Sequence, residues 1–104
     1  MRSEELIITE ENTPEGIKLY LKGRVYSVNA FALEHKLDDM LNMGLNNIIL
    51  NMKQVEYICS TGIKIVLKAF KTTAKSGGKL EIEQPSANVG NVLKITTLND
   101  ILIR

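Results

Sequence analysis

The sequence predicts an α/β fold, a mixed β-sheet of four or five strands with helices packed on it. Three observations carry that expectation. Residues 17–21 alternate apolar and polar with period two, as a strand with one buried face does. Residues 47–52 form a short, largely apolar run of the kind found in central strands covered on both faces. Two further segments, 33–41 and 63–70, repeat apolar residues at helical spacing. The order β-β-α-β-α-β-α implies a mixed sheet. At 104 residues the chain fits one domain, expected to span 1–104.

In chain order, Leu6, Ile7 and Ile8 read as a short strand. Asn12 to Gly16 read as a turn, where Pro14 fixes φ and Gly16 permits a positive one. Ile17, Leu19 and Leu21 are the inward positions of a second strand, so the two runs make a hairpin. Gly23 breaks the pattern, and Arg24 to Val28 read as a connector. Asn29 is a natural N-cap for a helix near 29–43, with Leu33, Leu37, Met40 and Leu41 inward and Gly44 as its stop. Asn47 to Met52 is the central strand, and Val55 to Ile58 extends or follows it. Ser60-Thr61-Gly62 opens a second helix near 60–76. Its expected buried stripe is Ile63, Val66, Leu67 and Phe70, its outer face includes Lys64, Lys68 and Lys71, and Gly77-Gly78 ends it. Lys79 to Glu83 alternates again, with Leu80 and Ile82 inward. Pro85-Ser86 marks a turn before a short helix near 86–96 whose apolar face is Val89, Val92 and Leu93. Leu98, Ile101, Leu102 and Ile103 form an apolar tail.

Composition narrows the function classes. Thirteen basic and twelve acidic residues nearly cancel, and no basic run is interleaved with aromatics, so direct nucleic-acid binding is not expected. No apolar run approaches the length of a membrane span, and the charged N-terminus is unlike a signal peptide. The expected location is cytoplasmic, with no membrane insertion. Cys59 is the one cysteine, so no internal disulfide can form.

Catalytic chemistry finds little support. His35 is the one histidine and is expected to face solvent from mid-helix. One Cys and one His do not make a usual zinc site, and Gly77-Gly78 lacks the Lys-Ser/Thr of a phosphate loop. Neither a metal nor a cofactor is expected. Cys59 precedes a helix start, where thiols can be reactive, but a buried, inert side chain is the expectation. Asp38 and Asp39 are adjacent on a helix and point apart. Ser60 stands out because a helix N-terminus presents unsatisfied N–H groups and partial positive charge, a ready setting for a phosphate.

Residues 48–63 read Ile-Ile-Leu-Asn-Met-Lys-Gln-Val-Glu-Tyr-Ile-Cys-Ser-Thr-Gly-Ile, followed by a helix, Gly-Gly, a strand and Pro-Ser. Residues 92–102 read Val-Leu-Lys-Ile-Thr-Thr-Leu-Asn-Asp-Ile-Leu. This succession resembles the STAS family, closest to the bacterial anti-sigma factor antagonists. Leu19 to Ala30 is similar to the family's Gly-x-Leu-Asp…Thr-Ala region. The resemblance implies a STAS-like sheet and a binding module rather than an enzyme. It also implies partner switching: a serine kinase-like anti-sigma factor phosphorylates the first hydroxyl of an Asp-Ser-Ser/Thr-Gly motif, and the unphosphorylated antagonist captures that partner. Ser60 matches the phosphoacceptor, Thr61 the second hydroxyl and Gly62 the glycine. Tyr26, Ser27 and Asn29 would line the neighbouring loop and, with Cys59, complete the partner-binding surface. The motif's Asp is Cys59 here, and the Asp often found after the second strand is Tyr26. STAS adaptors of signalling scaffolds or of lipid and anion transport systems are the alternative class.

Overall fold

The computed structural model describes residues 6–95 and 102–103. Strand β1 is Leu6–Thr13 and β2 is Gly16–Val25, followed by helix α1, Ala30–Asn42. Strand β3 is Asn47–Ile58, helix α2 is Ser60–Lys75, β4 is Lys79–Glu83, α3 is Ala87–Ile95 and β5 is Leu102–Ile103. The five strands form one sheet in sequence order. Strands β1 and β2 pair antiparallel as the expected hairpin, and the other neighbours pair parallel. The three helices fall within a residue or so of the expected ranges. In the apolar tail, Leu102 and Ile103 pair with Glu81 and Ile82 of β4, respectively, as the edge strand, while Leu98 and Ile101 lie outside the described residues.

One core unites these elements. Ile17, Leu19 and Leu21 of β2, Ile48, Leu50 and Met52 of β3, and Leu80 and Ile82 of β4 are buried together with Leu33, Leu37 and Met40 of α1. The parallel register sets Ile17 beside Ile48 and Leu19 beside Leu50, then Ile48 beside Leu80 and Leu50 beside Ile82. These apolar rows therefore share one sheet face. The opposite face is laced by polar contacts. Lys18 Nζ lies 3.1 Å from Glu83, Asn51 Nδ2 donates to Glu83 at 2.6 Å, and the Tyr20 hydroxyl donates to Glu11 at 2.7 Å. Glu81 is buried on that face, with Lys79 Nζ at 3.0 Å. Alternation along β4 reveals only its apolar half.

Two expectations change, and one open reading is decided. Gly23 does not end the second strand. It holds a φ of 115° within β2, beside register shifts against β3, and the strand continues to Val25. Of the two readings open for Val55 to Ile58, extension holds, because β3 runs unbroken through it. The stripe of α2 is also displaced. Ile63 and Val66 are buried as expected, but so are Gly62, Ile65, Ala69 and Thr73, while Leu67 and Phe70 are only half-buried. The cause is that α2 contacts α1 as well as the sheet, and Ile65 and Ala69 meet the groove that Leu37 and Leu41 line. A helix with two neighbours buries a wider arc than one resting on a sheet alone.

The helix stops behave as read. Gly44 and Gly77 take φ of 82° and 80°, and the following N–H groups turn back to Met40 and Thr73 carbonyls. His35 faces solvent.

Leu50 is fully enclosed and Phe70 is not. Leu50→Ala should therefore cost about 3–5 kcal/mol, and Phe70→Ala measurably less. Denaturant midpoints of the two variants check this order, and the reverse order would mean that α2 turns its Phe70 side inward.

Candidate functional site

The site grows from one register. At the carboxyl end of the sheet centre, Val25 of β2 lies beside Ile58 of β3. Both strands run parallel, so the segments that leave them emerge at the same edge. One is the loop 26–29 that leads into α1, and the other is the junction at Cys59 that leads into α2. The Cys59 N–H donates to the Val25 carbonyl at 2.9 Å and fastens the two exits together. In open sheets with parallel strands, this carboxyl edge is where binding sites form.

The loop is held by Asn29. Its Oδ1 accepts from the Tyr26 N–H at 2.9 Å, and its Nδ2 donates to the Arg24 carbonyl at 2.9 Å. Asn29 occupies the N-cap position as expected, but its side chain does not cap the helix. Its amide is committed to the loop behind it. The backbone closes the turn instead, with the Asn29 and Ala30 N–H groups both donating to the Tyr26 carbonyl.

Helix α2 begins at Ser60, with Cys59 as its N-cap in extended backbone. Cys59 makes no side-chain cap, and the first turn contains no acidic residue. The positive end of α2 is therefore not offset from within its own turn. Ser60 is exposed, Thr61 and Cys59 are half-buried, and Gly62 is buried. The thiol is thus more open than the expected buried side chain, because the N-cap position lies at the sheet edge rather than under the helix. A Cβ on Gly62 would fall 2.8 Å from Val25 Cγ1 and 2.9 Å from Ile58 Cγ1. Only a glycine lets α2 start this close to the two strand ends.

The expected residues Tyr26, Ser27, Asn29, Cys59, Ser60, Thr61 and Gly62 all belong to these two exits. Sequence reading missed their neighbours. The Tyr26 ring stands 5.3 Å from that of Tyr57, centroid to centroid. Arg24 donates from Nε to Glu56 at 2.9 Å and reaches the Tyr26 hydroxyl at 3.4 Å. The Tyr26 hydroxyl, and after it the Glu56 carboxylate, raises the Arg24 guanidinium above its ordinary range. Val28 and Phe31 are exposed at 77% and 59%. Phe31 was legible: it lies off the stripe of Leu33, Leu37 and Met40, so an apolar ring was bound for solvent. No group of three His, Cys, Asp or Glu side chains suited to a metal occurs among the described residues. No helix among them is long and apolar enough to cross a membrane.

Substituting Gly62→Ala should destabilise the protein by about 1–3 kcal/mol, the usual cost of overpacking, despite alanine's better helix propensity. A thermal melt reads this directly, and a stabilised variant would mean that α2 stands off the strand ends.

Comparison with known proteins follows this geometry. Residues 8–104 match the family model described as STAS domain. The anti-sigma-B factor antagonist of Bacillus subtilis is 30% identical over 86 residues, 83% of this chain and 78% of that protein. An anti-sigma factor antagonist from Mycobacterium paratuberculosis has the same fold, with a TM-score of 0.85 at 17% identity, over 95% of this chain and 85% of that one. The Bacillus cell fate determinant SpoIIAA, solved in its phosphorylated form, superposes with a TM-score of 0.75 at 18% identity, over 96% of this chain and 91% of that one.

Proposed function

The chain belongs to the STAS domain family, and we propose that it is a regulatory protein-binding module of the anti-sigma factor antagonist type, switched by phosphorylation of Ser60. The observation that carries this reading is the position of Ser60. It is the exposed first residue of α2, at the sheet edge where the 26–29 loop also emerges. It matches the family's phosphoacceptor residue by residue. The B. subtilis relative, whose name gives it an anti-sigma factor as partner, supports the partner class.

The partner in this reading is a serine kinase-like anti-sigma factor in the cytoplasm, and the chain binds it as one domain without cofactor, catalysis, nucleic-acid contact or membrane insertion. The surface comprises Tyr26, Ser27, Asn29, Cys59, Ser60, Thr61 and Gly62, which lie on the two exits, to which the exposed Val28 and Phe31 add apolar area. Exposed apolar side chains beside polar ones are what protein interfaces use at their centres. A second reading has its own observation. Cys59 stands where the family's motif has Asp, and it offers α2 no side-chain cap. That change favours an adaptor that holds its partner without phosphorylation.

Two measurements separate these readings. Incubation with the cognate kinase and ATP, followed by mass spectrometry, should place phosphate on Ser60. An anion at the first position of a helix is stabilising by about 0.3–1 kcal/mol, so Ser60→Asp should not lower the melting temperature. At an interface the same anion must be desolvated or paired. Partner affinity by calorimetry should therefore fall at least about fivefold, or ~1 kcal/mol. Equal affinities for wild type and Ser60→Asp, or phosphate only at other residues, would leave the adaptor.

A further inference from the structure

Helix α2 contains Lys64, Lys68, Lys71 and Lys75 and no acidic residue. At 3.6 residues per turn, the four lysines and Ser60 fall within an arc of about 80°. The buried residues Gly62 and Thr73 mark the opposite side of the helix. All four lysines are exposed, and none makes an ion pair among the described residues, where Lys18, Arg24, Lys36 and Lys79 all do. Leu67 and Thr72 flank them and line a shallow depression with them. The stripe runs about 16 Å from Lys64 to Lys75, and its head is one turn from Ser60.

We propose that this lysine stripe is a docking surface for an acidic helix of a partner protein, laid along α2 with one end at Ser60. The proposal rests on the reading of Ser60 as the partner-binding end of α2 and extends it down the helix. Charge decides the occupant. A broad anionic surface, such as a membrane, would meet α1 as well, because α1 packs beside α2 and presents Glu34, Asp38 and Asp39. Glu34 and Asp38 even share a groove with Lys68. With a net charge of +1, the whole molecule has little long-range attraction for a polyanion. Nucleic acid also lacks an aromatic within the stripe on which to stack a base. A single helix with acidic residues every third or fourth position fits the stripe's width and repeat, and it touches α1 little.

The test uses the full chain and an alanine-rich helical peptide with glutamates at the spacing of Lys64, Lys68, Lys71 and Lys75. Binding at ionic strength on the order of 0.01 M, where screening is weak, should shift backbone amide resonances along α2. K64E combined with K71E should weaken it at least about tenfold, ~1.4 kcal/mol, with an unchanged melting temperature. The neutral pair K64Q and K71Q should weaken it less, and K53E, on β3, should leave it unaltered. Affinity unchanged by K64E with K71E, resonance shifts elsewhere, or tighter binding to phosphatidylserine vesicles or duplex DNA overturns the proposal. Peptide binding on the stripe without kinase modification of Ser60 would remove the phosphoswitch alone. Modified Ser60 with no peptide binding would remove the docking surface alone.

Discussion

The parallel pairing of β2 with β3 is the constraint on which the rest depends. It joins the two longest strands of the described sheet and places their apolar rows in one plane for α1 and α2 to cover. It also brings two chain exits to one edge. Neither the 26–29 loop nor the start of α2 could be positioned by local sequence alone, since Val25 and Ile58 are distant in the chain. Their adjacency is a tertiary fact, fixed by hydrogen bonds along the ladder and by the shared core. The lateral tie from Cys59 to Val25 needs only a backbone N–H, so the residue at that position is free to change while the edge keeps its shape.

The ladder is irregular in a way that matters for the site. Between Tyr20 and Lys22 of β2, β3 advances from Asn51 to Gln54, and between Gly23 and Arg24 it advances from Val55 to Tyr57. At each shift β3 gains one residue on its neighbour, as a β-bulge does. The bulges reset the inward phase, so Val55 and Ile58 are both buried although three positions apart, while Glu56 and Tyr57 turn outward. Tyr57 then meets Tyr26, and Glu56 meets Arg24, across the strand ends. Bulges gather at such functional edges because they re-aim side chains.

That irregularity explains what the sequence hid. Elements with a clean period were legible: the 17–21 alternation, the α1 stripe and the Leu80–Ile82 pair bury the residues the pattern names, except Leu41 of α1, which is half-buried. The glycine stops of both long helices were legible because a positive φ has few alternative residues. Whether Val55 to Ile58 extends β3 or follows it stayed open in the sequence because a bulged strand has no single period, and β2 was ended early because Gly23 reads as a breaker when it sits within the strand, opposite a bulge of β3. The α2 face was rotated because periodicity reports one partner, and this helix has two. At the site, Ser60 and Gly62 stood out through their motif, whereas Arg24, Glu56 and Tyr57 owe their places to register. The role of Asn29 was misread for a related reason. An Asn before a helix signals a cap, but its amide has two ends, and here both serve the preceding loop.

The electrostatics of α2 bear on how a serine could switch a surface that lacks the family's acidic residue. Cys59 brings no charge to the helix start, and nothing in the first turn offsets the helix dipole. A phosphate on Ser60 would add about −1.5 to −2 charges where the N–H groups of α2 are already turned outward, with Lys64 one turn below. Such an anion would be held where it is formed, and the fold would have no reason to rearrange. Its effect would fall instead on whatever approaches the same face. An acidic partner segment would lose much of the attraction of the stripe nearest Ser60 and would have to desolvate against a like charge. In the family's motif an Asp already sits beside the acceptor, so a phosphate there deepens an existing negative charge. With Cys59 in its place, the unmodified surface is more positive, and the same phosphate makes a larger relative change. The substitution that argues against the family's usual kinase contact therefore leaves the proposed switch with greater electrostatic contrast, for a partner whose own surface is acidic.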